Sequence, residues 1–284
     1  MKRFAPALCL LFPISAVLLP AAARADDDCR YQADRAAEAP TDGVKRVIIR
    51  AGAGNLEIQG EPGRQRMEAR GEACASDKDQ LERLQIRVQR NGDTLVISSL
   101  TSDTALDPRS WFGSHSRLDV SIKVPAGIAL DVEDGSGETR ISNVGSLKVA
   151  DGSGSLRIED ISGSLELDDG SGEVTIAGVR GPLTIKDGSG DIEIKQITGE
   201  VIIVNDGSGE IRIESVTGHV KIDNDGSGAI NISRVNRDVT VDRDGSGEIV
   251  VQDIDGNLSV GRDGSGGIRH NHIGGSISLP DNES

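Results

Sequence analysis

Residues 206–224 read DGSGEIRIESVTGHVKIDN, and this stretch decides the fold. After the turn Asp206-Gly207-Ser208-Gly209, Ile211 and Ile213 alternate with Glu210, Arg212 and Glu214; further on, Val220 and Ile222 alternate with His219 and Lys221. Apolar residues at every second position mark strands buried on one side, so the stretch predicts two short strands. Val216 points inward at the bend between them, and Gly218 supplies the turn there.

The same turn begins at Asp134, Asp151, Asp169, Asp187, Asp206, Asp225, Asp244 and Asp263, at intervals of 17, 18, 18, 19, 19, 19 and 19 residues. A fixed period of this size means one supersecondary unit per coil, each coil burying its apolar edge on its neighbours. Three inward columns recur: Leu156 through Ile268, Ile141 through Val251, and the corner residues Val144 through Ile273. The predicted fold is all-β, a parallel β-solenoid (β-helix) of 17–19-residue coils. An aromatic content of 2% agrees, because a sandwich core ~10 Å thick draws on large rings and a narrower core is filled by Ile, Val and Leu. At a strand spacing of ~4.8 Å, the repeated coils make a rod roughly 40 Å long.

Upstream, residues 26–133 are expected to form an irregular N-terminal β segment continuous with the regular solenoid of 134–284. Candidate strands are Val44–Ile49, Asn55–Gln59, Arg66–Ala69, Leu84–Gln89, Thr94–Ser98, Leu118–Val124 and Ile128–Val132. Asn91-Gly92 between two alternating runs signals a hairpin. Ser76 with Asp79 predicts the cap of one helical turn through Leu81 and Leu84. Residues 101–116 read as a loop carrying Trp111 and Phe112, either an exposed contact site or a plug over the open end of the core.

Met1-Lys2-Arg3, an apolar run from Phe4 to Pro20 and Ala23-Arg24-Ala25 have the layout of a cleaved export signal. The run is too short and too interrupted by proline for a retained span of ~20 residues. Cys9 follows Leu8, where a lipoprotein signal wants a small residue. With cleavage before Asp26, 28 basic residues face 46 acidic ones, a formal charge of about −18. Such a surface disfavours nucleic acid and anionic membranes as partners. Cys29 and Cys74 are then the two remaining thiols, and in an oxidising compartment they are expected to pair as a disulfide. Neither belongs to a Cys-x-x-Cys pair, so a thiolate metal site is not expected.

The aspartate column Asp134, Asp151, Asp169, Asp187, Asp206, Asp225, Asp244 and Asp263 invites calcium, since carboxylates and turn carbonyls are its oxygen ligands. Calcium-binding β-rolls place a second Asp two positions after the last Gly. Here that position holds Thr139, Leu156, Val174, Ile192, Ile211, Ile230, Ile249 and Ile268, all committed to the core except Thr139. Without metal, each Asp is expected to cap its own turn by accepting an N–H two residues on. Carboxylates ~4.8 Å apart repel by about 0.9 kcal/mol at the dielectric of water, less than a charged hydrogen bond contributes. No cofactor is therefore expected.

On the outer face, Glu138, Glu173, Asp191, Glu210 and Glu248 form one row and Arg140, Arg157, Arg212 and Arg269 another, an arrangement that compensates itself. His270 interrupts an inward column of Ile and Val, as a polar cap does, and stands two residues from His272. Motifs of the kinds Gly-x-Ser-x-Gly, Gly-x-Gly-x-x-Gly and His-Glu-x-x-His do not occur. A serine repeated at equivalent turns is the opposite of a unique nucleophile.

With Gly-Ser-Gly-(Asp/Glu)-Ile-x-Ile followed by Gly-x-Val-x-Ile, repeated after Ile122–Pro125, the chain resembles the bacterial putative-adhesin family of β-strand-repeat domains over roughly Val44 to Leu279. The resemblance implies an exported, non-catalytic protein and carries over no site residues. The expected function is an adhesin-like scaffold, periplasmic or extracellular, binding a protein or glycan of the cell envelope or surface. A calcium-binding secreted β-roll is the alternative, and a glycan-active β-helix enzyme a third.

Overall fold

The computed structural model describes residues 29–99 and 116–280. Residues 1–25, expected to be an export signal, and the Trp111–Phe112 pair lie outside them. The irregular segment runs β1 (Tyr31–Pro40), β2 (Arg46–Arg50), β3 (Leu56–Glu61), β4 (Arg66–Ala75), α1 (Lys78–Arg83), β5 (Arg87–Asn91), β6 (Thr94–Ser98) and β7 (Ser116–Pro125). Two long strands that each traverse a coil follow, β8 (Ala129–Ser142) and β9 (Leu147–Ile161). The remaining coils alternate short strands: β10 (Leu165–Asp169), β11 (Val174–Val179), β12 (Leu183–Asp187), β13 (Ile192–Ile197), β14 (Val201–Asn205), β15 (Ile211–Val216), β16 (Val220–Ile222), β17 (Ile230–Val235), β18 (Val239–Asp244), β19 (Gly247–Ile254), β20 (Leu258–Asp263), β21 (Gly266–Ile273) and β22 (Ile277–Ser278).

Pairing resolves these into two faces of a parallel solenoid. The first face runs β1, β4, β7, β3, β8, β9, β11, β13, β15, β17, β19, β21. The second runs β5, β6, β2, β8, β9, β10, β12, β14, β16, β18, β20, β22. Register keeps like residues stacked: Ile211 pairs with Ile230, Ile213 with Ile232 and Val216 with Val235. The aliphatic columns are almost wholly buried until the last coil, where Ile268 and Ile273 are half-buried.

The coils approach closely enough to require glycine. Gly228 has a φ of 142°, and a Cβ there would lie 1.6 Å from the Gly209 carbonyl oxygen. The turn amides run coil to coil: Gly226 N–H donates to the Asp206 carbonyl at 2.9 Å, and Gly228 N–H to the Ser246 carbonyl at 2.9 Å. At the other corner the chain bends through a left-handed residue that lacks a ladder partner. Ser215 has a φ of 65° and falls between the pairs Glu214↔Ser233 and Val216↔Val235. Asn143, Asp160, Gln196, Arg234, Asp253 and His272 do the same in their coils, with Gly178 in the remaining one. This stacked bulge turns the next residue, Val or Ile, into the corner of the core. Asn, Asp and His tolerate the left-handed region and are its sequence signal, which Gln196, Ser215 and Arg234 obscure.

The solenoid starts earlier than the regular turns imply. Arg50 pairs with Glu133 and Ala53 with Ser136, so Ala51-Gly52-Ala53-Gly54 is a degenerate copy of the turn, with Ala51 in register with Asp134. The insertion of β4 to β7 hides it from a search at fixed period. Strand β1 is another departure: its Ala-rich sequence has little apolar alternation, yet it pairs antiparallel with β4 over its whole length. A Cys29–Cys74 disulfide with a Cα–Cα distance of 5.4 Å ties the two together. The N-cap of α1 is Asp77, which accepts from Gln80 N–H at 2.8 Å, rather than the expected Ser76. Arg35 donates to the Leu81 and Leu84 carbonyls at the other end of α1, at 2.7 and 2.6 Å, and both leucines pack on the core. The Asn91-Gly92 hairpin joins β5 and β6 as expected.

The two ends of the rod therefore differ. Among the described residues, β21 pairs only with β19 and β22 only with β20, and Ile277 and Leu279 are exposed. Gly228→Ala is expected to cost about 3–5 kcal/mol in urea unfolding. Gly267→Ala, whose Cβ would meet nothing within 4 Å, should change stability by less than about 0.5 kcal/mol. In hydrogen exchange, amides of β21 should exchange at least tenfold faster than those of β13, which is paired on both sides.

Candidate functional site

Register converts the outward positions of the first face into continuous rows. One row, within the strands or one residue ahead of them, reads Asp34, Glu72, Asp119, Asn55, Glu138, Ser155, Glu173, Asp191, Glu210, Ala229, Glu248. The next reads Ala36, Arg70, Ser121, Glu57, Arg140, Arg157, Thr175, Glu193, Arg212, Asn231, Val250, Arg269. The expected compensation is present, and much of it runs along single strands. Arg212 meets Glu210, Lys195 meets Glu193 and Arg157 meets Glu159, each at 2.5 Å, and Arg140 meets Glu138. Arg269 reaches across to Glu248 of the preceding coil.

At the N-terminal end of this face, β1, β4, β7, β3 and β8 line a groove of about 690 Å³, with Asp34, Glu72, Asp119, Glu57, Arg70 and Arg140 on its walls. Arg70 hydrogen-bonds Glu68 and holds its carboxyl below the ordinary value. Lys123 does the same for Glu61.

The aspartate column is not on the surface. Asp134, Asp151, Asp169, Asp187, Asp206, Asp225 and Asp244 are buried, Asp206 completely, and Asp263 is half-buried. They close the core along the edge opposite the Val and Ile corner. The capping expectation is not met: the carboxylates lie in the core rather than over the turn, and the amides of Gly170, Gly188, Gly226, Gly245 and Gly264 are committed to the coil-to-coil ladder. Amides of Gly207 and Ser208 lie close enough to favour the charged form of Asp206, yet neither of its oxygens completes a hydrogen bond. The same is true of both oxygens of Asp169, Asp187, Asp225 and Asp244.

Water-like screening does not apply at such a depth. At an effective dielectric of about 20, two carboxylates ~4.8 Å apart repel by roughly 3.5 kcal/mol, several times the value in water. Burial, then the charges of Asp134 and Asp169, pushes Asp151 up to about 7. Burial, then Asp169 and Asp206, pushes Asp187 up to about 7; burial, then Asp206 and Asp244, does so for Asp225. Burial also raises Asp134, Asp169, Asp206 and Asp244.

Thr139 proves to be a core residue. It is buried, and its hydroxyl donates to Asp134 Oδ2 at 2.6 Å, so the first carboxylate has a side-chain donor. At the far end, His270 stacks on Val251 and is exposed, while His272 Nδ1 lies 3.1 Å from Asp253 Oδ1. Among the described residues, no group of three or more His, Cys, Asp or Glu is placed to hold a metal ion. The expected contact pair Trp111 and Phe112 lies outside the described residues.

No curated protein matches the chain. Among solved structures, one described as a putative adhesin from Bacteroides fragilis is 16% identical, with 88% of this chain and 98% of that chain covered and a TM-score of 0.44. A putative adhesin from Parabacteroides merdae is 14% identical, with 87% and 96% covered and a TM-score of 0.45. A putative lipid binding protein from Parabacteroides distasonis is 16% identical, with 87% and 97% covered and a TM-score of 0.43. The profile of the family described as Toastrack DUF4097 matches residues 41–265, from just before β2 to the last regular turn. The chain belongs to the Toastrack DUF4097 family.

Proposed function

We propose that this protein is an exported, non-enzymatic, adhesin-like scaffold that binds a macromolecule of the cell envelope or surface along the outer face of its first sheet. The observation that carries this reading is the set of continuous rows on that face, Asp34 to Glu248 and Ala36 to Arg269, joined in register by unbroken pairing. A surface built in rows offers many weak, evenly spaced contacts, and evenly spaced contacts suit an extended partner. The groove beside Arg70 and Glu72 gives the face one concave feature at its N-terminal end.

The partner is a protein rather than a glycan. Sugar recognition leans on aromatic platforms, and the outward rows carry none, whereas alternating charges match polar protein surfaces and set orientation and encounter rate more than raw affinity. Export is supported by the charged and apolar start of the chain and by a disulfide that needs an oxidising compartment. No resident cofactor forms part of this reading.

Crosslinking and pull-down from intact cells, with and without prior surface protease, tests partner and side of membrane together. The double variant R157E/R212E on the first face is expected to reduce the recovered partner at least tenfold. K148E/K221E on the second face should leave recovery within twofold. Surface ion pairs are worth about 0.2–1 kcal/mol each, so both variants remain folded. Equal recovery from the two variants, or recovery of polysaccharide in place of protein, would overturn the proposal.

A further inference from the structure

The outward rows are offered to a partner, but the aspartate column faces inward and has no role in contact. We infer that this column is a chain of proton-binding sites, in which alternate aspartates carry a proton and hydrogen-bond through it to the carboxylate of the neighbouring coil. Geometry carries the inference. Asp134 pairs with Asp151, Asp151 with Asp169 and Asp169 with Asp187; Asp206 bridges to Asp225, Asp225 to Asp244, and Asp244 pairs with Asp263. Both oxygens of Asp169, Asp187, Asp206, Asp225 and Asp244 are buried without a donor. Neighbouring side chains from Asp151 to Asp263 stand within reach of one another. An ionised carboxylate only accepts, so two of them cannot bond; one proton between them supplies the missing donor.

The surroundings leave the proton as the ligand. Calcium takes six to eight oxygens, and no group of three acidic side chains converges at any point of the column among the described residues. The groups acting most strongly on the column are its own members, Asp168 beside Asp169, Thr139 on Asp134 and the turn amides of Gly135, Gly152, Gly170, Gly207, Ser208 and Ser246. Lys186, Arg243 and Arg262, each one residue before a column aspartate, are exposed on the outer side of their strands. The column ends where the fold supplies an alternative: Ala51 takes the next place beyond Asp134, and Thr139 provides the donor there.

The sign of the pH effect follows. Unfolded aspartates lose their protons near pH 4, whereas Asp151, Asp187 and Asp225 hold theirs to about 7. Between these values the folded chain binds more protons than the unfolded one, so stability is fully present below about pH 4 for these groups and falls as pH rises through 7. Most carboxylates that interact in a fold do the reverse.

The test uses the exported chain in EDTA. Thermal melts from pH 5 to 8 are expected to show a falling Tm, and calorimetry at pH 6 in buffers of differing ionisation enthalpy should show about three protons released on unfolding. The variant D151N/D187N/D225N, which replaces protonated carboxyls by neutral amides of the same shape, should flatten the pH dependence, release close to none and melt higher than the parent at pH 8. Asp187→Asn alone should remove about one released proton, a check that holds even if the triple variant misfolds. Release of no protons by the parent, or a Tm that rises from pH 5 to 8, would overturn the inference. So would a Tm at pH 8 raised by calcium and lost in the triple variant, which would make the ligand a divalent cation.

Discussion

The close stacking of one turn on the next governs everything else in this molecule. Where Gly228 lies over the Gly209 carbonyl there is no room for a side chain, and its own amide, like that of Gly226, is already bonded to an adjacent coil. This contact repeats at every regular turn and holds each coil in one register relative to its neighbour. With the register fixed, side-chain rows are not a choice made coil by coil. A residue type selected at one position is placed beside its equivalents at a single strand spacing, whether it is an isoleucine in the core, an arginine outside or an aspartate at the edge.

Those rows have opposite energetic consequences on the two sides of the backbone. Outside, water screens the charges and Arg212 with Glu210 or Lys195 with Glu193 settle into local pairs of small worth. Inside, the same spacing puts carboxyls together where screening fails, and only neutralisation relieves them. The aliphatic columns provide the stability against which that strain is set, since each buried Ile or Val contributes roughly 1.5–3 kcal/mol relative to exposure. A core so narrow has little else to fill it.

Much of this was legible from residues 206–224. Alternation at Ile211 and Ile213, repeated at a constant interval, gave both strands of a coil and the composition of the core, because a period of two and a fixed coil length are local properties. What escaped was whatever depends on contacts distant in sequence. The Ala51 turn keeps its glycines but lacks the Asp and is separated from Asp134 by inserted strands. Strand β1 is held by pairing and a disulfide more than by its own pattern. The burial of the aspartates was missed for a different reason. Asp-Gly-Ser-Gly is polar at every position that carries a side chain and reads as a surface turn, although the alternation of Leu165 and Leu167, continued by one more step of two, places Asp169 on the inward side. Thr139 at the position filled elsewhere by Leu, Val or Ile was a further hint, since a hydroxyl at a core position wants an acceptor.

The near-identity of the turns also bears on how such a chain changes length. Because the 19-residue coils stack in one register, removing or duplicating one of them keeps the same kind of backbone pairing at the new joint and changes only which side chains meet there. The rod can therefore grow or shrink in whole steps of one strand spacing, and each step adds or removes one place in every outer row and one carboxyl in the inner column. Reach along the axis and capacity for protons are counted in the same unit.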